Sequence, residues 1–448
     1  MCISLPPQGA VMNWTDEEFL RLRHLADPDL DKKVAAYRRH HPEMRDARSL
    51  VPALVGELAE AKKRAREHRH ADPENTENTE SAPLNLLDEL GAKTSPPTWG
   101  YDESLVKKGQ AVFTDNGLYQ AVALFFVSLP LGYALPATAK VLSAASDLAD
   151  RDGKLTRRVA ETGQMLIDVM GLRDPESLKP GGAGYLTAIG VRALHSAVRS
   201  LMLDPEHKWD READGEPVNQ ELLLATLFDF SVVIWEAMER MGLELSDADR
   251  AANLYAWSVF GHLMGLVTCR DRPLDLDDVD PVCVHFSGRL QASEEGRALM
   301  RALLAEMEEF MPLGWRKLPR SLVRWLFRDA AHGVHQVPDL LAVPKSAWWS
   351  TPLFATARMA QRFAWLPDPL RPAIRMLLRK AGRAIIRSYA DRHSNGQAPF
   401  WIPAELARDW KIHPRPVARR TRLARGRARR AVRQNLRHLR PGMEARRA

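Results

Sequence analysis

Cysteine is scarce: Cys2, Cys269 and Cys283 are the only three in 448 residues. None stands in a CxxC or CxxCH spacing, which argues against a disulfide framework, a cysteine zinc site or covalently attached c-type haem. A long apolar run is also missing. The most apolar stretch, AVALFFVSLPLGYALPA at 121–137, is short for a membrane span and is cut by Pro130 and Pro136; a buried, kinked core helix is expected there. The opening MCISLPPQGAVMNWTDEEFL has no basic n-region followed by an apolar h-region, so a cytoplasmic protein is expected, peripheral at a membrane at most. No alternating strand series and no repeat of fixed period can be found. KPGGAGYLTA at 179–188 is followed by no GK[ST], so it is expected to start a helix rather than to cradle a phosphate.

What is present is helical patterning and an uneven charge. Apolar residues recur at helical spacing over 105–128, 134–150, 154–170, 183–203, 219–241, 246–268 and 293–311, so the expected class is all-α, a large helical bundle. Near the N-terminus, TDEEFLRLRHLA offers a Thr15 cap with acidic first-turn residues. HRHADPENTENTESAP at 68–83 is polar and of low complexity, a linker candidate whose His68 and His70 fit a solvated tract. The net charge of +7 is concentrated at the end: residues 411–448 hold thirteen arginines and Lys411 against Glu444 alone, leaving a mildly acidic body. Three segments are expected: an N-terminal helical extension and loop (1–83), a main domain (84–400) and an Arg-rich tail (401–448). The tail has no interleaved aromatics for base stacking, so it suits an anionic membrane surface or an acidic partner better than nucleic acid.

VRALHSAVR at 191–199 sets one histidine between two arginines. On a helix Arg192 and Arg199 project within roughly 20° of each other and His195 stands about 40–60° away. Val191, Leu194, Val198 and Leu201 flank its other side, so the imidazole sits at the seam of an apolar and a basic strip. A histidine on such a helix is commonly a satisfied core residue, and the arginines could pair with DPEHKWDRE after it. The seam also suits a non-covalent haem, which needs an axial nitrogen, an apolar slot and cations near its propionates. In KLTRRVAETGQMLIDVM at 154–170, Arg158 and Thr162 share an otherwise apolar stripe with Met165 and Val169. A buried arginine needs a carboxylate such as Glu161, a polar ligand or a watered pocket.

Taken in order, GQAVFTDNGLYQAVALFFVSLPLGYALPATAKVL, TRRVAETGQMLIDVM, GGAGYLTAIGVRALHSAVRSLM and PVNQELLLATLFDFSVVIWEAMERMGL resemble the MpaB and latex clearing protein (rubber oxygenase) catalytic-domain family, as does LRHLADPDLDKKV at 22–34. The resemblance runs from about residue 20 to about 345. It implies a globin-like all-helical core that binds haem b non-covalently, with His195 as axial iron ligand and Arg192 and Arg199 as its flanking arginines. It also implies Arg158 and Thr162 as the distal pair facing dioxygen, the co-substrate. Latex clearing proteins carry a lysine immediately before that threonine, able to cap the iron; this chain has Glu161, which cannot act as that amine. The implied activity is therefore a dioxygenase-like oxidation of a small, hydrophobic, unsaturated substrate other than rubber. Glu161 and Asp168 map to the polar side of their helix, and no catalytic base is identified. Two alternatives stand beside this: a non-catalytic haem protein or sensor, and a helical protein that works through its Arg-rich tail.

Overall fold

The computed structural model describes residues 14–41, 53–60 in part, 95–149, 156–203 except 173 and 175, and 209–354 except 310, 312, 331, 332, 351 and 353. The polar stretch 68–83 and the tail 401–448 lie outside the described residues, as does Cys2. Among the described residues every regular element is helical.

Local chemistry starts the helices where expected. Helix α1 (Asp16–Arg23) is capped by Thr15, whose hydroxyl accepts from the Glu18 amide, with three acids in its first turn facing the helix dipole. Helix α2 (Pro28–His40) opens on a proline and is capped by the Asp27 carboxylate, which accepts from the Leu30 amide at 3.1 Å. The expected run 105–128 is broken. Helix α3 (Glu103–Asp115) ends at Asn116, whose amide donates to the Val112 carbonyl. The chain then continues as α4 (Gly117–Ala123), a π-helical turn (Leu124–Ser128) and α5 (Leu129–Tyr133), bent by 79° from α3. The bend lies at 116–118 and not at Pro130, which stands in the first turn of α5, and among the described residues no single helix is long and apolar enough to cross a membrane.

Helices α6 (Pro136–Ala149), α7 (Thr156–Val169) and α8 (Ala183–Met202) follow the expected runs closely, and α8 starts from Gly182 in the glycine-rich stretch. The run 219–241 divides at Ser231 into α9 (Gln220–Phe230) and α10 (Val232–Arg240), because Ser231 leaves helical backbone geometry and its hydroxyl takes the Leu227 carbonyl. Helix α11 (Asp247–Leu263) is capped by Ser246, and α13 (Glu294–Glu309) matches its run. Helices α12 (Val279–Gly288) and α14 (Leu318–Phe327) lie outside the expected runs; each holds a proline, Pro281 or Pro319, in the first turn, where no intrahelical donor is lost.

Packing joins distant segments. One apolar cluster gathers Leu22 and Leu30 from α1 and α2 with Ile167, Ile189, Leu224 and Trp257 from α7, α8, α9 and α11. A second gathers Val127, Ile234, Met238, Met300 and Phe327 from the π-turn, α10, α13 and α14. Helices α3 and α11 cross so closely at Gly109 that a Cβ there would stand 2.1 Å from the Ala252 carbonyl oxygen. Asn253 seals that crossing by donating to the Gly109 carbonyl and accepting from the Trp235 indole.

Candidate functional site

Helices α7 and α8 pack against each other, and the face between them is apolar. Leu166, Ile167, Ile189, Ala193 and Ala197 are all buried there in one cluster. The two helices are tied by Asp168, which accepts from Thr187 on α8 at 3.1 Å and from Gln164 one turn back at 2.7 Å. Asp168 is therefore a buried cross-link and not, as periodicity suggested, a solvent-side group.

His195 lies near the middle of α8, deep in the fold yet only half-buried by surface, the combination expected of a ring that faces an internal space. Its Nδ1 is sealed from solvent and has no hydrogen-bond partner. Burial, reinforced by the nearby Arg199 charge, pushes the imidazole down to about 3, so it is neutral throughout the physiological range. A neutral imidazole is the form that ligates a metal, and with Nδ1 closed off the nitrogen that could do so is Nε2. Among the described residues no group of three or more His, Cys, Asp or Glu is placed to hold an ion by itself.

The flanking arginines are committed. Arg192 forms a bidentate pair with Asp27, Nε to Oδ2 at 2.5 Å and Nη2 to Oδ1 at 2.8 Å. Burial would raise the Asp27 carboxyl, but the Arg192 hydrogen bonds and charge outweigh it and hold it below the usual carboxylate range. Arg199 donates to both oxygens of Asp31, at 2.9 Å and 3.0 Å, and to the Val218 carbonyl. Ser196 joins the same carboxylate at 2.6 Å. Among the described residues, the carboxylates that pair with these arginines come from the 22–34 element. On this geometry the two arginines fasten α8 to the start of α2 on either side of His195, rather than presenting free guanidinium groups to propionates. Gly265, at φ +79°, lies flat against Arg192, where a Cβ would come within 2.5 Å of Nε.

Thr162 is half-buried on α7. Arg158 and Glu161 stand three residues apart in the first two turns of the same helix, but their side chains lie outside the described residues. Asp27, Asp31 and Ser196 were not singled out from sequence. The available signal was charge complementarity: two carboxylates four apart in LADPDLD and two arginines seven apart on one face of α8.

Residues 116–443 match the family described as "ER-bound oxygenase mpaB/B'/Rubber oxygenase, catalytic domain". The chain is 25% identical over 303 residues to the rubber oxygenase of Streptomyces sp. (strain K30), an alignment covering 65% of this chain and 69% of that protein. Its fold is similar to that of latex clearing protein LCP in the closed state, with a TM-score of 0.59 and 20% identity, covering 82% of this chain and 91% of the other.

Proposed function

Since the chain belongs to the catalytic-domain family of the ER-bound oxygenase MpaB and rubber oxygenase, an oxygenase family, we propose that it is a haem b-dependent oxygenase of a small, hydrophobic, unsaturated substrate other than rubber. The observation that supports haem most directly is His195: a neutral imidazole within the fold whose Nδ1 is closed off, leaving Nε2 as the nitrogen that would meet a metal. In this reading His195 would hold the haem through its iron. Bound there, a haem b supplies the redox chemistry that activates dioxygen for dioxygenase-like cleavage of a carbon–carbon double bond.

The protein's own part is to place the ligand and shape the space. Arg192 and Arg199 act as positioning residues, pinning α8 to Asp27 and Asp31 so that the imidazole is held from both flanks. Arg199 also supplies positive charge that disfavours protonation of the ring. The apolar α7 and α8 face excludes water, which strengthens any hydrogen bond made within it. By the resemblance, Arg158 and Thr162, four residues apart on α7, would be the polar pair that gives hydrogen bonds to dioxygen. Glu161, where relatives place a lysine, removes an amine that could cap the iron.

Purified protein should show a Soret band and a b-type pyridine haemochrome spectrum, and His195→Ala should lose both. A colourless protein after haem-supplemented expression would sink the reading. Oxygen uptake with unsaturated terpenoids separates an oxygenase from a haem sensor, which would show the same spectrum without turnover.

A further inference from the structure

The junction of α9 and α10 borders a cavity remote in sequence from His195 and Thr162. One wall comes from the π-turn and α5, another from α9 and α10, a third from α12. Pi-helical turns are rare and favour functional sites; here the turn's Ser128 hydroxyl donates to the Asp229 carbonyl at 2.6 Å, fixing the end of α9 beside it. The cavity is partly open and holds about 60 Å³, room for roughly four to six waters or an organic molecule of about four to six carbons.

The lining is apolar, with Val127, Leu131, Phe228, Val233, Phe286 and Leu290 supplying most of it. Its polar groups can be accounted for one at a time. Glu236 and Arg240 pair with each other at 2.9 Å. The Ser287 hydroxyl donates to the Val284 carbonyl at 2.7 Å. Two groups are left: the Cys283 thiol and the Asp229 carboxyl, which lies deep in the fold, lines this space and receives no hydrogen bond among the described residues. A carboxyl buried without a partner is costly as an anion and is retained at lower cost as the neutral acid, which has an O–H to donate. Burial accordingly pushes Asp229 well above the ordinary carboxylate range, and Cys283 up to about 12.

We propose that this cavity is a binding site for a small neutral molecule with one carbonyl or hydroxyl group, its apolar part against Val127, Leu131, Phe228, Val233 and Phe286, its oxygen accepting from the Asp229 carboxyl. A hydrocarbon would fill the space but leave the O–H unpaired. A carboxylate ligand would face Glu236 and an acid, with the one cation in the wall, Arg240, already paired. The site needs no metal and shares no lining residue with the haem reading.

Cys283 in the wall gives a local readout. Alkylation of Cys283 by N-ethylmaleimide, followed on its own peptide by mass spectrometry, should be slowed by 2-pentanone at a concentration roughly five to ten times lower than by pentane. Asp229→Leu should remove that preference while still admitting both molecules, and Asp229→Asn, whose amide N–H can donate, should keep most of it. In the wild type, the preference should disappear as pH rises far enough to ionise Asp229, a measurement that needs no variant to fold. His195→Ala should leave Cys283 protection unchanged, which separates this site from the haem site. No protection by either molecule, or an undiminished ketone preference in Asp229→Leu, would overturn the assignment.

Discussion

Replacing Asp27 by Asn removes one charge from the α2 to α8 clamp while keeping an oxygen to accept from the Leu30 amide, so the helix cap survives and only the ion pair is lost. The Asp27 and Arg192 side chains are 4% and 11% exposed, too little for solvent to take over either charge. Breaking a buried pair from one side costs about 3–5 kcal/mol, because the other charge is left behind. Asp29 and Asp31 also act on Arg192, which should bring Asp27→Asn down to about 2–4 kcal/mol. Arg192→Met leaves the Asp27 carboxylate buried and should cost a similar amount, while the double variant leaves neither charge stranded. Urea unfolding of the four proteins, followed by circular dichroism, should then give a coupling energy of about 2–3 kcal/mol. A coupling within about 0.5 kcal/mol of zero, the behaviour of exposed pairs, would refute the clamp. The same pair predicts a pH dependence. Asp27 is held below its ordinary 3.8, so its contribution is complete above about pH 4 and is lost as pH falls through the folded-state value; Asp27→Asn should flatten the stability profile in that window.

Glu221 makes a second acid-labile joint: burial would raise it, but hydrogen bonds from Arg23 and His285 hold it at about 2 against an ordinary 4.5. Its stabilisation, about 3 kcal/mol, is present above pH 4.5 and lost as pH falls toward 2, and Glu221→Gln should show little of that loss in acid titrations of stability. Gly109→Ala should force α3 from α11, since backbone stands 2.1 Å from the added methyl; a loss of about 3 kcal/mol or more is expected, against no more than a few tenths for Gly314→Ala, which meets nothing within 4 Å. Gly265→Ala combines a strained φ of +79° with a clash against Arg192, and a loss of about 1–3 kcal/mol is expected in thermal unfolding; a stability equal to that of the wild type would refute the close approach.

Much of this architecture was legible because helical information is local. Apolar spacing located α6, α7, α8, α11 and α13 nearly to their ends, and Thr15 marked a helix start by its own chemistry. The same periodicity placed His195 and its two arginines on one face of α8, since 100° per residue holds wherever the helix goes. The π-turn at Leu124–Ser128 was not legible, because Ser128 meets the Asp229 carbonyl 101 residues away; nor was the break at Ser231, whose local bond to the Leu227 carbonyl Ser258 also makes, to Leu254, within an unbroken helix. Which charges would meet was equally beyond reach: Arg192 and Asp27 lie 165 residues apart, and an arginine's sequence neighbours offer nearer acids of the same kind. Asp168 illustrates the limit, a residue on the polar side of its own helix that a second helix covers. Asp229 illustrates it again, an acid among apolar residues whose isolation is a property of three walls converging. The sequence by itself determined helices and which of their faces are apolar, because those follow from geometry within one segment. Only the tertiary structure decided which polar groups were satisfied and which were left facing an internal space, because burial and partnership are set by elements that the chain brings together from afar.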